Sequence, residues 1–179
     1  MTSGTAAALT VRTAAPGDRD AILELVRLAF SETGGQQEVD VVLDTWNLDV
    51  VPEGLELVAV ENGAVVGYVL AATGHLDGKD VVGVAPVAVT PAHQGVGVGT
   101  ALMTELVRRA DAAGLPLLVL LGDPHYYGRF GFEPSGPLGL SYPPVGQNSP
   151  YFQVRRLMSY DPSYRGDYTY CWETLPRRP

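Results

Sequence analysis

Val87-Ala88-Val89-Thr90-Pro91-Ala92-His93-Gln94-Gly95-Val96-Gly97-Val98-Gly99-Thr100-Ala101-Leu102-Met103 is the stretch whose reading decides the fold. An apolar, β-like run meets a proline, then a turn with glycine at alternate positions, then a helical pattern. Glycines leave the backbone of the turn uncovered, and the following helix aims its first N–H groups at whatever lies there. Such a turn suits an anion, and a phosphate group is the usual one. A second apolar run follows at 117–121. The segment between is long enough for a crossover, so strands at 80–89 and 117–121 are expected to lie parallel.

Upstream, residues 9–13 read as a short strand. Pro16-Gly17-Asp18 starts a helix, with Asp18 and Asp20 where the helix dipole favours negative charge. Ile22, Val26, Ala29 and Phe30 recur at helical spacing, ending before Gly34-Gly35. Val39, Val42, Leu43 and Trp46 predict a second helix within 36–49, closed by Pro52-Glu53-Gly54. Three strands then meander through 55–60, 64–73 and 80–89. Asn62-Gly63 forms the first hairpin turn and 74–79 the second.

Downstream, Leu102, Leu106 and Ala110 form a helical stripe that Gly114 stops. After the strand at 117–121, Gly122-Asp123-Pro124 breaks the chain and 125–130 has room for about two helical turns. An ordered loop over 134–150 and a strand at 152–157 come next. Tyr160, Tyr164, Tyr168, Tyr170 and Trp172 are expected to pack on the sheet. The expectation is one α/β domain over 9–179 behind a flexible tail at 1–8. Its centre is a mixed sheet of about six or seven strands, mostly antiparallel and flanked by helices.

Composition narrows the function. The 46% hydrophobic and 18% charged fractions describe a globular chain with a real core. A net charge of -8 disfavours nucleic acid and is compatible with a cationic substrate. Cys171 is the single cysteine, so neither a disulfide within the chain nor a cysteine-built metal site is expected. A free thiol fits a reducing, cytoplasmic setting. No apolar run approaches a membrane span.

Two glycine-loop chemistries fail on inspection. A Walker A loop needs Gly-Lys-Ser/Thr, and Gly99-Thr100 lacks the lysine. The dinucleotide fingerprint starting at Gly95 needs glycine at 100, where Thr100 stands. What Gln94-Gly95-Val96-Gly97-Val98-Gly99 does fit is Q/R-x-x-G-x-G/A, the acyl-CoA loop of the GNAT N-acyltransferases. Tyr127-Gly128-Arg129-Phe130-Gly131-Phe132 is similar to the family's Tyr-x-x-x-Gly-Phe element. The resemblance spans roughly 9–134 and is strongest over 80–132. Gly122-Asp123-Pro124-His125-Tyr126-Tyr127 resembles one bacterial branch of that family.

The resemblance implies roles. Acetyl-CoA is the acyl donor, with no metal, and a small-molecule amine is the acceptor. Backbone N–H groups from Val96, Gly97, Val98, Gly99 and Thr100 hold the pyrophosphate, beside Gly95. Gln94 meets a phosphate oxygen or orders the loop. Val87 and Val89 pair with the pantetheine arm as an added strand would. Tyr127 is the general acid that protonates the leaving thiolate, with adjacent Tyr126 as its competitor. Asp123, by its place before Pro124, either caps the short helix or helps orient the arm. The family often places an asparagine before that helix, and none lies between Leu117 and Tyr127. For a general base, Glu32, Glu38, Asp40, His75 and His93 are the candidates by type, or a chain of waters. Two other functions remain open: a coenzyme-binding sensor without turnover, and an acetyltransferase acting on a protein amine. A homodimer is compatible with each.

Overall fold

The computed structural model describes residues 8–146 and 148–176; the tail expected at 1–8 therefore lies almost wholly outside the described residues. Strand β1 (Thr10–Thr13) leads through a 3-10 turn into helices α1 (Arg19–Ala29) and α2 (Gly35–Leu48). Strands β2 (Glu56–Glu61), β3 (Ala64–Leu76) and β4 (Lys79–Val89) form the meander. Helix α3 (Val98–Ala112), strand β5 (Leu117–Leu121) and the one-turn helix α4 (Pro124–Tyr127) follow. Two short strands, β6 (Glu133–Pro134) and β7 (Leu140–Ser141), lie in the expected loop, and β8 (Phe152–Arg156) and β9 (Gly166–Thr169) close the chain.

The main sheet runs β1-β2-β3-β4-β5-β8-β6, with β9 added beside the far end of β3 and β7 beside β9. Neighbours on that main path are antiparallel except β4 and β5, which pair in parallel as the crossover requires. Side chains alternate between two buried faces, as period-2 strands sandwiched between helices must. Leu57, Ala59, Val69 and Ala71 pack toward Leu102, Met103 and Leu106 of α3. Val58, Tyr68, Leu70 and Ala88 pack toward Ile22 and Val26 of α1 and Val39 and Val42 of α2.

Three boundaries differ from the sequence reading. Helix α2 stops at Leu48 because Asp49 turns left-handed (φ 52°), before the proline is reached. Strand β3 runs on to Leu76, so the second turn is Asp77-Gly78 (φ 44° and 81°), and His75 lies on a strand rather than in a turn. The cause is remote: Tyr168 and Tyr170 press on Gly74 and Gly83, where any Cβ meets the Tyr168 hydroxyl. A strand glycine often marks such a close approach. The 134–150 loop contains the β6 and β7 pairings. Asn62-Gly63 makes its turn as expected (φ 51° and 78°).

One contact places the glycine turn. A Cβ on Gly67 of β3 falls 2.6 Å from Val98 Cγ1 and 2.9 Å from Leu102 Cδ1. Glycine there lets the first turn of α3 lie directly on the sheet, next to the end of β4.

Candidate active site

The site begins where β4 and β5 part. They pair only from Val82 to Val84 against Leu118 to Leu120. Beyond that, Ala85 and Pro86 together oppose the single residue Leu70 of β3, a bulge that bends β4. Val87 and Val89 keep their partners Val69 and Gly67 on β3, but face no strand on the β5 side among the described residues. Their free backbone edge opens into a cavity of about 480 Å³.

The glycine turn forms one end of this cavity. Gly95 and Gly97 are left-handed (φ 75° and 98°), with open space where a Cβ would stand. Helix α3 starts at Val98, so Gly99 and Thr100 belong to its first turn rather than to the loop. Ala101 N–H already donates to Gly97 O, and Gly97 offers no side-chain cap. The N–H groups of Val98, Gly99 and Thr100 therefore lack intrahelical acceptors. Gly99 is needed for packing, since the Tyr126 hydroxyl occupies the place of its Cβ. Gln94 Nε2 donates to Val89 O at 3.1 Å, tying the turn back to β4.

The structure brings Val87, Val89, Gln94, Gly95, Gly97, Gly99, Thr100 and Tyr127 to one cavity. The other two residues of the expected coenzyme set contribute no side chain to it. Val98 is buried in the core and Val96 is 72% exposed, so only their backbones are available. Three further residues line the cavity: His93, Tyr126 and Arg129. The Arg129 guanidinium lies 4.5 Å above the Tyr126 ring, and its Nε donates to Tyr126 O at 3.2 Å. The signal was in the sequence: Arg129 follows Tyr126 by three residues, one helical turn.

Tyr127 is held from three sides. Its ring fills the space over Gly122, meets Phe132 edge-on at 6.0 Å and Tyr126 at 4.8 Å. Gly122 is itself fixed, its carbonyl accepting from buried Gln153 Nε2 at 2.9 Å and its N–H donating to Tyr151 O. Asp123 caps α4 as expected, Oδ1 accepting from His125 N–H at 2.9 Å. Burial pushes the Tyr127 phenol well above its ordinary pKa, with neighbouring Tyr126 adding to the shift.

A second cavity of about 540 Å³ adjoins the first and shares Val87, Tyr126 and Tyr127 with it. Phe30, Glu38 and Val41 wall it from the α1–α2 side, Val84 to Val87 from β4, and Tyr142, Tyr170 and Trp172 from the C-terminal segment. The five base candidates separate cleanly. Glu38 lines this cleft, and burial raises its carboxyl pKa. Asp40 lines a third cavity further out. His93 is engaged rather than free in solvent: Nδ1 is 2.8 Å from Thr90 Oγ1 and Nε2 3.2 Å from Glu61 Oε2. His75 faces Asp80 across the exposed β3–β4 hairpin, and Glu32 is exposed; neither lines a cavity at this site.

Among the described residues no three His, Cys, Asp or Glu side chains gather as a metal site. No helix among them is long and apolar enough to cross a membrane.

Residues 10–135 match the acetyltransferase (GNAT) domain family. The chain is 32% identical over 151 residues to YhbS, an uncharacterized N-acetyltransferase of Escherichia coli K12, covering 83% of this chain and 87% of that one. It is 34% identical over 121 residues to YjhQ, another from the same organism, covering 65% of each. The crystal structure of YhbS in complex with CoA superposes with a TM-score of 0.78 at 30% identity, covering 94% of this chain and 91% of that one. A GNAT acetyltransferase from Brucella melitensis in complex with acetyl-CoA gives 0.74 at 29% identity, covering 91% and 96%.

Proposed function

The chain belongs to the GNAT acetyltransferase family, and from that premise we propose that it moves an acetyl group from acetyl-CoA to a small amine by direct attack. The observation that carries this reading is the meeting of two cavities at Val87, Tyr126 and Tyr127, one floored by the glycine turn and the other by aromatic and acidic side chains.

In the first cavity, the N–H groups of Val98, Gly99 and Thr100 hold the pyrophosphate, and Arg129 supplies positive charge beside them. The free edge of β4 at Val87 and Val89 takes the pantetheine arm as a strand partner. The YhbS and Brucella relatives, whose crystals hold CoA and acetyl-CoA, support this assignment. The Gly122-to-Phe132 element is our marker for a bacterial branch within the family.

The second cavity takes the acceptor. Its volume suits a small molecule better than a protein segment. A neutral amine entering there attacks the acetyl carbon, the C–S bond breaks, and the thiolate takes the Tyr127 proton. The acylated nitrogen gives its extra proton to solvent, and the phenolate is reprotonated from solvent. A phenol held above its usual pKa stays protonated throughout the working range, as a proton donor must.

The test is thermal unfolding with and without acetyl-CoA, followed by thiol release with an amine panel. Acetyl-CoA at about 100 times its Kd stabilises by about 2.7 kcal/mol, which raises Tm by about 5–10 °C in a chain of this size. No shift at saturating coenzyme removes the proposal; a shift without thiol release on any amine leaves a coenzyme-binding sensor instead.

A further inference from the structure

Strand β8 carries two polar side chains on a face whose neighbours are apolar. Phe152 and Val154 pack with the C-terminal aromatic cluster, so Gln153 and Arg155, alternating with them, belong to the opposite face. There they pair with Leu120 and Leu118 of β5, both part of the core beneath α3. Gln153 is the largest polar side chain buried among the described residues, at 1% exposed. A primary amide in such a place is costly unless it is hydrogen-bonded. Leucine, which β5 uses on the same face, would fill the position without that cost.

Both side chains meet the segment that carries Tyr127. Gln153 Nε2 donates to Gly122 O at 2.9 Å, where the chain leaves β5. Arg155 meets the other end of the segment, since a Cβ on Gly131 falls 3.0 Å from its Nε. That Nε is buried without a hydrogen-bond partner among the described residues, and Nη1 donates to Arg156 O at 2.8 Å. Arg155 therefore supports the segment by packing, and Gln153 holds it by a hydrogen bond.

Tyr127 depends on Gly122 for its place. A Cβ on Gly122 would fall 2.2 Å from Tyr127 Cε2 and 2.8 Å from Cδ2, so the ring rests directly on that backbone. Gly122 belongs to two peptide planes, and each has its own tie. Its N–H, in the plane shared with Leu121, donates to Tyr151 O at 2.9 Å. Its carbonyl, in the plane that leads into Asp123 and α4, accepts from Gln153. Without that bond the second plane loses its tie to β8, and the ring above it loses a fixed floor.

Resting on the acetyltransferase reading, we propose that Gln153 is a positioning residue for Tyr127. Through the Gly122 carbonyl it fixes the peptide under the ring, and so the place of the phenol where the two cavities meet. Gln153 lines neither cavity, so it acts only through Gly122 and Tyr127. A misplacement of about 1 Å can cost about 100-fold in a step that needs exact placement. Phe132 and Tyr126 also hold the ring, so the expected loss is smaller, about tenfold.

The experiment uses the full chain with acetyl-CoA and, as acceptors, spermidine, tyramine, glucosamine and glycine, the fastest being kept. Thiol release gives kcat and acetyl-CoA KM for the native chain, Gln153→Met, Tyr127→Phe and the double variant. Methionine keeps the length and volume of the side chain and removes the donor. Gln153→Met is expected to melt cooperatively, to lose about tenfold in kcat and to keep acetyl-CoA KM within about twofold. In the Tyr127→Phe background no acid is left to place, so the same change is expected to cost less than about twofold. Gln153→Leu takes its place if the methionine variant does not melt cooperatively. A kcat equal to native, an equal loss in both backgrounds, or a loss confined to KM overturns the positioning role while acetyl transfer stands. So does a Tyr127→Phe rate equal to native, or a failure of both Gln153 variants to fold. A native chain that releases thiol with none of the four acceptors overturns transfer to small amines, and this proposal with it.

Discussion

Replacing Tyr127 by phenylalanine tests the catalytic assignment with little disturbance to the fold. The ring makes the packing contacts, against Gly122, Phe132 and Tyr126. No described residue hydrogen-bonds to the hydroxyl, and Tyr127 lines both cavities. Phenylalanine keeps the ring, so stability should hold to within about 0.5 kcal/mol, or about 1–2 °C in Tm. Loss of a positioned acid costs about 10²- to 10⁴-fold. The cavities open to solvent, which can protonate a thiolate slowly, so the lower end applies: about 100-fold in kcat, or about 2.7 kcal/mol. The acetyl-CoA KM should move less than about twofold, because the hydroxyl acts on the leaving group and not on the phosphates. The sign of the pH effect follows from burial. Tyr127 works only when protonated, and its pKa lies above the ordinary phenol value, so it contributes no falling limb up to pH 9. Tyr127→Phe should therefore lower the native profile without changing its shape. Tyr126→Phe is the control. Its hydroxyl lies over Gly99 in the first turn of α3, so its loss should change acetyl-CoA KM and leave kcat within about threefold. Initial rates of thiol release and a thermal melt on both variants suffice. If Tyr126→Phe loses kcat and Tyr127→Phe does not, the acid is Tyr126 and the reasoning from the Tyr-x-x-x-Gly-Phe spacing is wrong.

Two other expectations follow from charged contacts. Arg129→Gln removes the one Arg or Lys among the described residues lining the glycine-turn cavity, and should raise acetyl-CoA KM about tenfold with kcat retained and salt dependence reduced; an unchanged KM removes Arg129 from the phosphate site. Acid stability should fall late. Asp18, held by hydrogen bonds from Arg12, and Glu105, held by Arg108 and Arg109, both have carboxyl pKa values lowered to about 2. A depressed folded pKa gives stability that is present above the unfolded value near 4 and lost as pH falls toward 2. Tm should be level from pH 7 to 5 and drop between 4 and 2, and Glu105→Gln should make that drop shallower; a native Tm already falling at pH 6 contradicts this.

What the sequence revealed, it revealed through local spacing. The glycine turn, the Asn62-Gly63 hairpin and the Asp123 cap each depend on residues within a few positions, and each stands where the spacing predicts. The errors share a different cause. Nothing near Gly74 says that it belongs to a strand, because its reason is Tyr168, ninety-odd residues away in the chain and packed on its Cα. Nothing near His93 says that its Nε2 meets Glu61, which β2 brings to it. The second cavity is the extreme case. Glu38 comes from α2, Val87 from β4, Tyr127 from α4 and Trp172 from the terminal segment, so no window of sequence contains it.

The site is best understood as a consequence of one divergence in the sheet. A parallel pair needs a crossover, and the crossover helix α3 must start beside the end of β4. Gly67 lets that start lie on the sheet, which puts unpaired N–H groups next to the β4 edge. The Ala85-Pro86 bulge then turns β4 away from β5, leaving Val87 and Val89 without a partner on that side among the described residues. An edge with free hydrogen-bonding groups is a liability unless something covers it. Here it ends at the glycine turn on one side and at an aromatic, acidic cleft on the other. In the proposed reading, an extended donor arm satisfies the edge while its reactive end reaches Tyr127. This links the fold to the chemistry more closely than the glycine motif does: restoring the β4–β5 pairing beyond Val84 would stabilise the sheet and close both cavities at the point where they meet.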